Sequence, residues 1–170
     1  MKKLLFFFFI LPISFYGQKW VLSLEENNNK TYISNSIEPE YVWVKHVSKR
    51  IEFYVGNAKK FIDGYKILRY KYDCKNRAIG IGRIIIYDKS GNVVKQSGSD
   101  DLIELDSVVP DSIGEDLLND ICFLKKNEKL FDSYHSLNPD ITKDVFLNSY
   151  RIFGQEYIDF INREINQEAD

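Results

Sequence analysis

The chain has 170 residues, a formal net charge of −2 at pH 7, and 44% hydrophobic and 15% aromatic residues. This length predicts one domain of ordinary size with a hydrophobic core, since domains average about 150 residues. With a net charge near zero, we expect no nucleic-acid partner.

The charge is unevenly distributed along the chain. Residues 41–95 contain thirteen Lys and Arg but four Asp and Glu, whereas residues 96–170 contain six and seventeen. Such a division is typical either of a protein with an anion-binding face or of two segments that attract each other where they pack.

The N-terminal residues 1–17 have the pattern of an export signal. Two lysines precede an apolar run at residues 4–13, which has the length of a signal-peptide core and is too short to cross a membrane. We expect cleavage after Gly17, although Phe15 is bulkier than the residue usually found at the third position before a cleavage site. The alternative to an export signal is a buried N-terminal helix. No cysteine follows the run, so we expect no lipid anchor. We expect a periplasmic, secreted or cell-surface protein that has no membrane span once the signal is removed.

Short apolar segments separated by turn residues follow the export signal. Six of them predict strands: residues 20–24, 30–34, 41–47, 65–74, 77–87 and 93–97. A polar stretch at 48–64, with Gly56, Asn57 and Gly64 as turn residues, is expected to separate the third strand from the fourth, with residues 51–55 as an optional strand. Residues 88–92 have the composition of a hairpin turn. The pattern predicts an antiparallel meander sheet of about six strands.

Alternation in the fourth strand assigns its side chains to two faces. One face carries the apolar side chains and a cysteine: Leu68, Tyr70, Tyr72 and Cys74. The opposite face carries the charged side chains: Arg69, Lys71 and Asp73. Cys74 therefore points toward the core, which favours a disulfide over a reactive thiol.

Two glycines interrupt the fifth strand. We expect Gly80 and Gly82 to let a helix approach the sheet closely, because both lack a side chain on the same face. A dinucleotide-binding loop is the alternative. That fingerprint requires a third Gly or Ala where this chain has Ile85, and a helix where the sequence continues as a strand.

A helix is predicted after Pro110. Ser112 and Glu115 have the spacing of a capping box, which supplies partners for the free amides of a helix start. The apolar stripe that follows includes Ile121, and Cys122 lies beside it on or near the buried side. Since Cys74 and Cys122 are the two cysteines of a chain expected to be exported, we predict that they form a disulfide between this helix and the sheet.

The C-terminal segment is also helical in pattern. Aromatic residues recur at spacings of three and four: Phe146, Tyr150, Phe153, Tyr157 and Phe160. Gly154 interrupts this stripe without necessarily ending the helix. We expect the stripe to be buried, either on its own domain or against a second chain in a homodimer.

No combination of residues completes a catalytic or metal site. His46 lies in a strand and His135 in a polar turn, and both are interpreted as surface or packing residues. Acidic residues are numerous at 100–120 but lack the spacing and central glycine of a calcium loop; a site of paired carboxylates stays open as an alternative. We expect no enzyme, no cofactor and no metal site.

One combination of segments extends over residues 20–122: Trp20-Val21, Tyr32-Ile33, Val42-Trp43-Val44-Lys45, Tyr72-Asp73-Cys74, the strand from Arg77, Tyr87-Asp88 with Gly91, Val109-Pro110-Asp111-Ser112 and Ile121-Cys122. Together these segments resemble the surface-adhesin protein E family, most specifically in the cysteine pair. The resemblance implies a six-stranded antiparallel sheet with a disulfide-tethered helix on its concave side, in bacterial surface proteins that bind host matrix and plasma proteins and can dimerise. The chain departs from the adhesin in lacking its lipid-anchor cysteine, and residues 123–170 have no counterpart.

The sequence therefore predicts an α+β protein: a signal peptide at 1–17, a sheet-helix domain at 18–126 and a C-terminal helical extension at 127–170. The expected function is that of an exported, non-enzymatic binding module for a host or envelope protein or a polyanion. The alternative is a structural or assembly subunit of the cell envelope that dimerises through its C-terminal helix.

The expected binding surface is basic. If the tethered helix covers the face of Cys74 and the two glycines, then Arg69, Lys71 and Arg83 share the uncovered face, with Lys75 and Arg77 at the connecting turn. A polyanion or an acidic protein segment is the expected ligand. A solvated face, or one neutralised by the acidic C-terminal segment, is the alternative.

Overall fold

The computed structural model describes residues 19–101 and 103–168, so the predicted export signal lies outside the described residues. The strands are β1 (Trp20–Glu26), β2 (Asn29–Ile37), β3 (Tyr41–Val55), β4 (Ala58–Asp73), β5 (Ala78–Asp88), β6 (Val93–Ser97) and β7 (Asp106–Ser107). They form one antiparallel sheet in the order β1-β2-β3-β4-β5-β6, with β7 beside β5. The predicted meander is confirmed.

The polar stretch at residues 48–64 is strand and not a separator. β3 and β4 form one long hairpin that closes at a two-residue turn between Val55 and Ala58. Gly56 has φ 58° there, a conformation that favours glycine at this position of a hairpin turn. The prediction failed because the charged side chains of the hairpin end suggested a loop, although Ile51 and Ile62 pair across it.

Four helices follow the sheet: α1 (Ile113–Lys126), α2 (Glu128–Leu137), α3 (Lys143–Phe153) and α4 (Gln155–Gln167). The Ser112 side chain accepts a hydrogen bond from the Glu115 backbone N–H at 3.2 Å, which confirms the predicted helix start. The Glu115 carboxylate accepts from the Asp111 backbone N–H at 2.8 Å. The capping box therefore extends one residue before the cap.

The helices pack on one face of the sheet, which we call the helix-covered face. Its buried strand residues include Val44, Leu68 and Tyr70. Helix residues from both sides of the predicted boundary at 126/127 enter the same core cluster, including Ile121 and Phe146, each 0% exposed. The predicted C-terminal extension is thus part of the core of the sheet domain.

Gly154 ends one helix and begins another. With φ 59°, it lies in the left-handed region and separates α3 from α4. The helical period is not carried across it, so the predicted aromatic stripe is divided. Phe146 is fully buried, but Phe153 is 57% exposed and Phe160 is 41% exposed. The prediction of a continuous buried stripe is wrong for these two residues.

Cys74 and Cys122 form a disulfide, as predicted, with an S–S distance of 2.03 Å. It connects the chain just after β4 to α1. Cys74 itself is exposed and Cys122 half-buried, so the bond lies at the margin of the core and not inside it.

Replacing both cysteines, as Cys74→Ala/Cys122→Ala, should lower the free energy of unfolding. The closed loop spans a sequence separation of 48 residues. For a loop of this size the chain-entropy model gives a loss of about 4 kcal/mol, which urea unfolding would measure. Two titratable thiols in the unfolded, unreduced wild-type protein would contradict the bond.

Candidate functional site: the helix-free face of the sheet

The face opposite the helices is rich in aromatic side chains. Strand partners on this face include Trp43 with Arg69, and Tyr65 with Tyr87. Half-buried aromatic rings surround one lysine, Lys45, and we call this group the aromatic platform: Trp20, Tyr32, Trp43, Tyr65 and Tyr87. An open sheet face ordinarily carries polar side chains, so a concentration of rings on it is informative.

Lys45 is the central cation of the platform. Its Nζ lies 4.4 Å from the centroid of the Tyr65 ring and 5.8 Å from that of Trp20. Tyr65 in turn stacks on Tyr87 at 4.7 Å. Among the described residues no carboxylate lies within ion-pair distance of Lys45. The rings hold this ammonium group in place without neutralising it.

The Tyr65 hydroxyl is a hydrogen-bond donor at neutral pH. Burial raises its pKa, and the neighbouring Tyr87 and Asp88 raise it further. The platform therefore offers an ammonium group beside a neutral phenol, which suits a negatively charged ligand.

The predicted basic row lies beside the platform but is not free. Arg69 donates to Glu38 at 2.9 Å and to Asp100 at 3.0 Å, and its guanidinium lies 4.5 Å from the centroid of the Tyr41 ring. Arg83 pairs with the same Asp100 at 3.1 Å. The structure thus brings Arg69 and Arg83 together, as the sequence predicted, but around a carboxylate of the protein itself.

The remaining predicted residues are dispersed. Lys71 lies 4.0 Å from Glu40 in an exposed pair. Arg77 donates to Glu115 and, at 3.2 Å, to Asn119, so it connects the β4–β5 turn to α1. Lys75 is exposed in that turn and has no ion pair among the described residues. Four of the five predicted residues, Arg69, Lys71, Arg77 and Arg83, are therefore paired with carboxylates of the protein itself.

The reason for two of these pairings is a chain segment, described at residues 99–101 and 103–104, which crosses the helix-free face. Lys71 pairs with Gly80 and Tyr72 with Ile79, so the glycines lie opposite the helices. A Cβ on Gly80 would lie 2.1 Å from the Glu104 carbonyl oxygen. The two glycines leave room for this segment and not for a helix. The expectation that they share the face of Cys74 is wrong. Because the segment carries Asp100, the predicted basic face is covered and neutralised there.

Lys45 and the rings around it are not among the site residues predicted from the sequence. Alternation in residues 41–47 carried the signal, since Tyr41, Trp43 and Lys45 fall on one face and the buried Val42 and Val44 on the other. Residues 41–47 were predicted as a strand from their apolar residues, without an assignment of their side chains to two faces.

The two histidines lie elsewhere, each in a local hydrogen bond. His46 Nδ1 lies 2.8 Å from Thr31 Oγ1, and burial together with the charge of Lys66 lowers the pKa of His46 to about 4. His135 Nδ1 lies 2.8 Å from the Ile141 carbonyl oxygen, and its ring stacks on Phe131. Both arrangements are those of packing residues.

Within residues 19–101 and 103–168, no group of three or more His, Cys, Asp or Glu is placed to hold a metal ion. No helix in that part of the chain is both long and apolar enough to cross a bilayer. Comparisons of the chain with family models, with curated proteins and with solved structures find no match.

His46 should make stability depend on pH. The folded protein binds this proton only below about pH 4, whereas an unfolded histidine binds it below about pH 6.5. Stability from this group is therefore present above pH 6.5 and is lost as the pH falls. Between pH 7 and pH 5 the loss is about 2 kcal/mol. Urea unfolding of wild type and His46→Gln at both pH values would measure it; equal losses in the two proteins would contradict it.

Gly80→Ala should destabilise the protein, because the new methyl group would overlap the Glu104 carbonyl oxygen. Overpacking of this kind costs about 1–3 kcal/mol. The matched control is Gly114→Ala, whose Cβ meets only Ser112 Oγ at 3.5 Å and which gains helix propensity. Urea unfolding of both variants would compare them. A Gly80→Ala protein as stable as wild type would mean that the segment does not pack there.

Proposed function

We propose that the protein is an exported binding module without enzymatic activity, which holds an acidic segment of a host or envelope protein on the aromatic platform. The observation that carries the proposal is Lys45, which is positioned by Trp20 and Tyr65. Among the described residues it has no carboxylate partner, and no helix covers its face of the sheet.

The composition of the platform favours a protein ligand. Tyr and Trp are enriched in protein interfaces because they bury a large area while losing little side-chain freedom. Lys45 supplies the charge that selects an acidic ligand, and the paired Arg69 and Arg83 beside it contribute rigidity and not free charge. A polyanion shares the same chemistry and would compete for the platform.

Export and adhesion are proposed on separate grounds. The disulfide between Cys74 and Cys122 is typical of an oxidising compartment, and residues 1–17 have the pattern of an export signal. The resemblance to the surface-adhesin protein E family adds a function, binding to matrix or plasma proteins.

Lys45→Glu should weaken binding of the protein to an immobilised poly-glutamate peptide, because it replaces the free cation of the platform by an anion. We expect a loss of about tenfold or more, which corresponds to about 1.4 kcal/mol. Surface plasmon resonance at two salt concentrations would measure it. The matched control is Lys126→Glu, an exposed lysine at the end of α1.

Equal weakening by both substitutions would mean that only net charge matters, and the platform would then have no specific role. No binding by the wild-type protein at low salt would contradict the proposal altogether. A sulfated polysaccharide that displaces the peptide would identify a polyanion as the competing ligand.

The second candidate is an envelope subunit that dimerises through its C-terminal helices. It is favoured by one observation: Ile152, Phe153 and Phe160 are 73%, 57% and 41% exposed. Exposed apolar residues of this size are typical of contact surfaces. Association of the wild-type protein that rises with concentration in sedimentation, with no affinity for acidic peptides, would favour this candidate over the first.

A further inference from the structure

The end of the β3–β4 hairpin extends beyond its neighbours. The pairing of β2 with β3 ends at Val47, and the pairing of β4 with β5 ends at Gly64. Residues 48–63 therefore form a two-stranded ribbon, which we call the arm. The arm is one layer thick, and its strands are paired only with each other in the described part of the chain.

The arm has an inner and an outer face. Ile51 pairs with Ile62 on the inner face and is 4% exposed. Lys95 Nζ of β6 donates to the Tyr54 carbonyl oxygen, which connects the arm to the edge strand of the sheet. The pairing of β3 with β4 is irregular between Ser48 and Ile51, where the arm begins.

The outer face exposes two aromatic rings. Tyr54 pairs with Lys59 and Glu52 with Phe61, which places these four side chains on one side. Tyr54 and Phe61 are each 47% exposed, and Val55 at the turn is 59% exposed. Such an apolar surface, at the extremity of a thin ribbon, has no covering element among the described residues.

Cations surround these rings. The Arg50 guanidinium lies 4.3 Å from the centroid of Phe61, and Lys59 Nζ lies 5.9 Å from the centroids of both Tyr54 and Phe61. Residues 48–63 contain four Lys or Arg and two Asp or Glu. One of the acids, Glu52, is paired with Lys59 at 2.9 Å. The arm therefore carries a positive excess beside its exposed rings.

We propose that the arm is a docking surface for anionic lipid head groups. Aromatic rings and basic side chains on one exposed surface are what proteins present to the interfacial region of a bilayer, where rings enter the acyl boundary and cations meet the phosphates. The charge of the arm is complementary to such a surface. A lipid surface also fits this face, because its four side chains, Glu52, Tyr54, Lys59 and Phe61, are all exposed.

The interaction is weak and depends on salt. Each Lys or Arg near an anionic leaflet contributes about 1 kcal/mol, or about fivefold in affinity, and Debye screening reduces that contribution as salt rises. The rings add a contribution that salt does not screen. Loss of either component is therefore measurable on its own.

The test is co-sedimentation with vesicles of phosphatidylcholine alone or mixed with phosphatidylglycerol. The protein should begin at Gln18, because the apolar residues 4–13 would bind bilayers by themselves. We expect binding to the mixed vesicles at low salt and at least tenfold weaker binding of Arg50→Gln/Lys59→Gln, which removes the two cations beside the exposed rings. The matched control is Lys126→Gln/Lys129→Gln, two exposed lysines outside the arm, which should change binding less than twofold.

A second variant, Tyr54→Ser/Phe61→Ser, should weaken binding while leaving its salt dependence unchanged, and Val109→Ser, at a residue 68% exposed elsewhere, is its control. Urea midpoints would establish that each variant is folded. Equal binding to vesicles with and without the anionic lipid, no binding at low salt, or equal loss in the arm variant and its control would each overturn the proposal. Lys45→Glu should still bind vesicles, which separates this surface from the platform.

Discussion

Asp100 determines which cations of the helix-free face are paired within the protein and which are available to bind a ligand. Its carboxylate accepts from Arg69 and pairs with Arg83, and it arrives on a segment that two glycines of β5 admit. One oxygen of Asp100 and the Nε of Arg69 are buried and have no hydrogen-bond partner among the described residues, which costs part of the stability that the ion pairs supply. Lys45, two residues beyond Trp43 on the same face, has no ion pair in the described part of the chain.

The opposite face depends on a different carboxylate. Asp120 of α1, 6% exposed, accepts from the Ser23 hydroxyl of β1 and from Arg151 of α3. Burial raises the pKa of Asp120, while Ser23 and Arg151 act in the other direction. A buried charge of this kind is tolerable only when its partners are in place. The contact thus requires α1 and α3 to dock on β1 together, which makes residues after 127 a structural part of the sheet domain.

Features that depend on a few neighbouring residues were predictable from the sequence. The helix start at Ser112 follows from the spacing of Ser112 and Glu115, and the disulfide follows from a pair of cysteines in a chain with an export pattern. The inward direction of Tyr70 and Tyr72 follows from strand alternation. In each of these cases local chemistry and the tertiary structure agree.

Features that depend on register were not predictable. Gly80 is assigned to a face only by its pairing with Lys71, and the irregularity between Leu68 and Tyr70 shifts the remainder of β5. Periodicity within one strand shows which side chains share a face, but not which of the two faces the helices cover. Gly154 posed a similar problem, because a single positive φ separates two helices whose aromatic spacing is continuous in sequence.

The same register relates the two proposed surfaces. On β4, Phe61 and Tyr65 are four residues apart and both lie on the helix-free side, so the outer face of the arm continues the face of the platform. Their separation along a strand is about 13 Å. The two proposed surfaces are therefore neighbours on one side of the sheet. A bilayer bound at Phe61 would lie close to Lys45, so the proposed membrane and the proposed protein ligand would meet at the boundary between the arm and the platform.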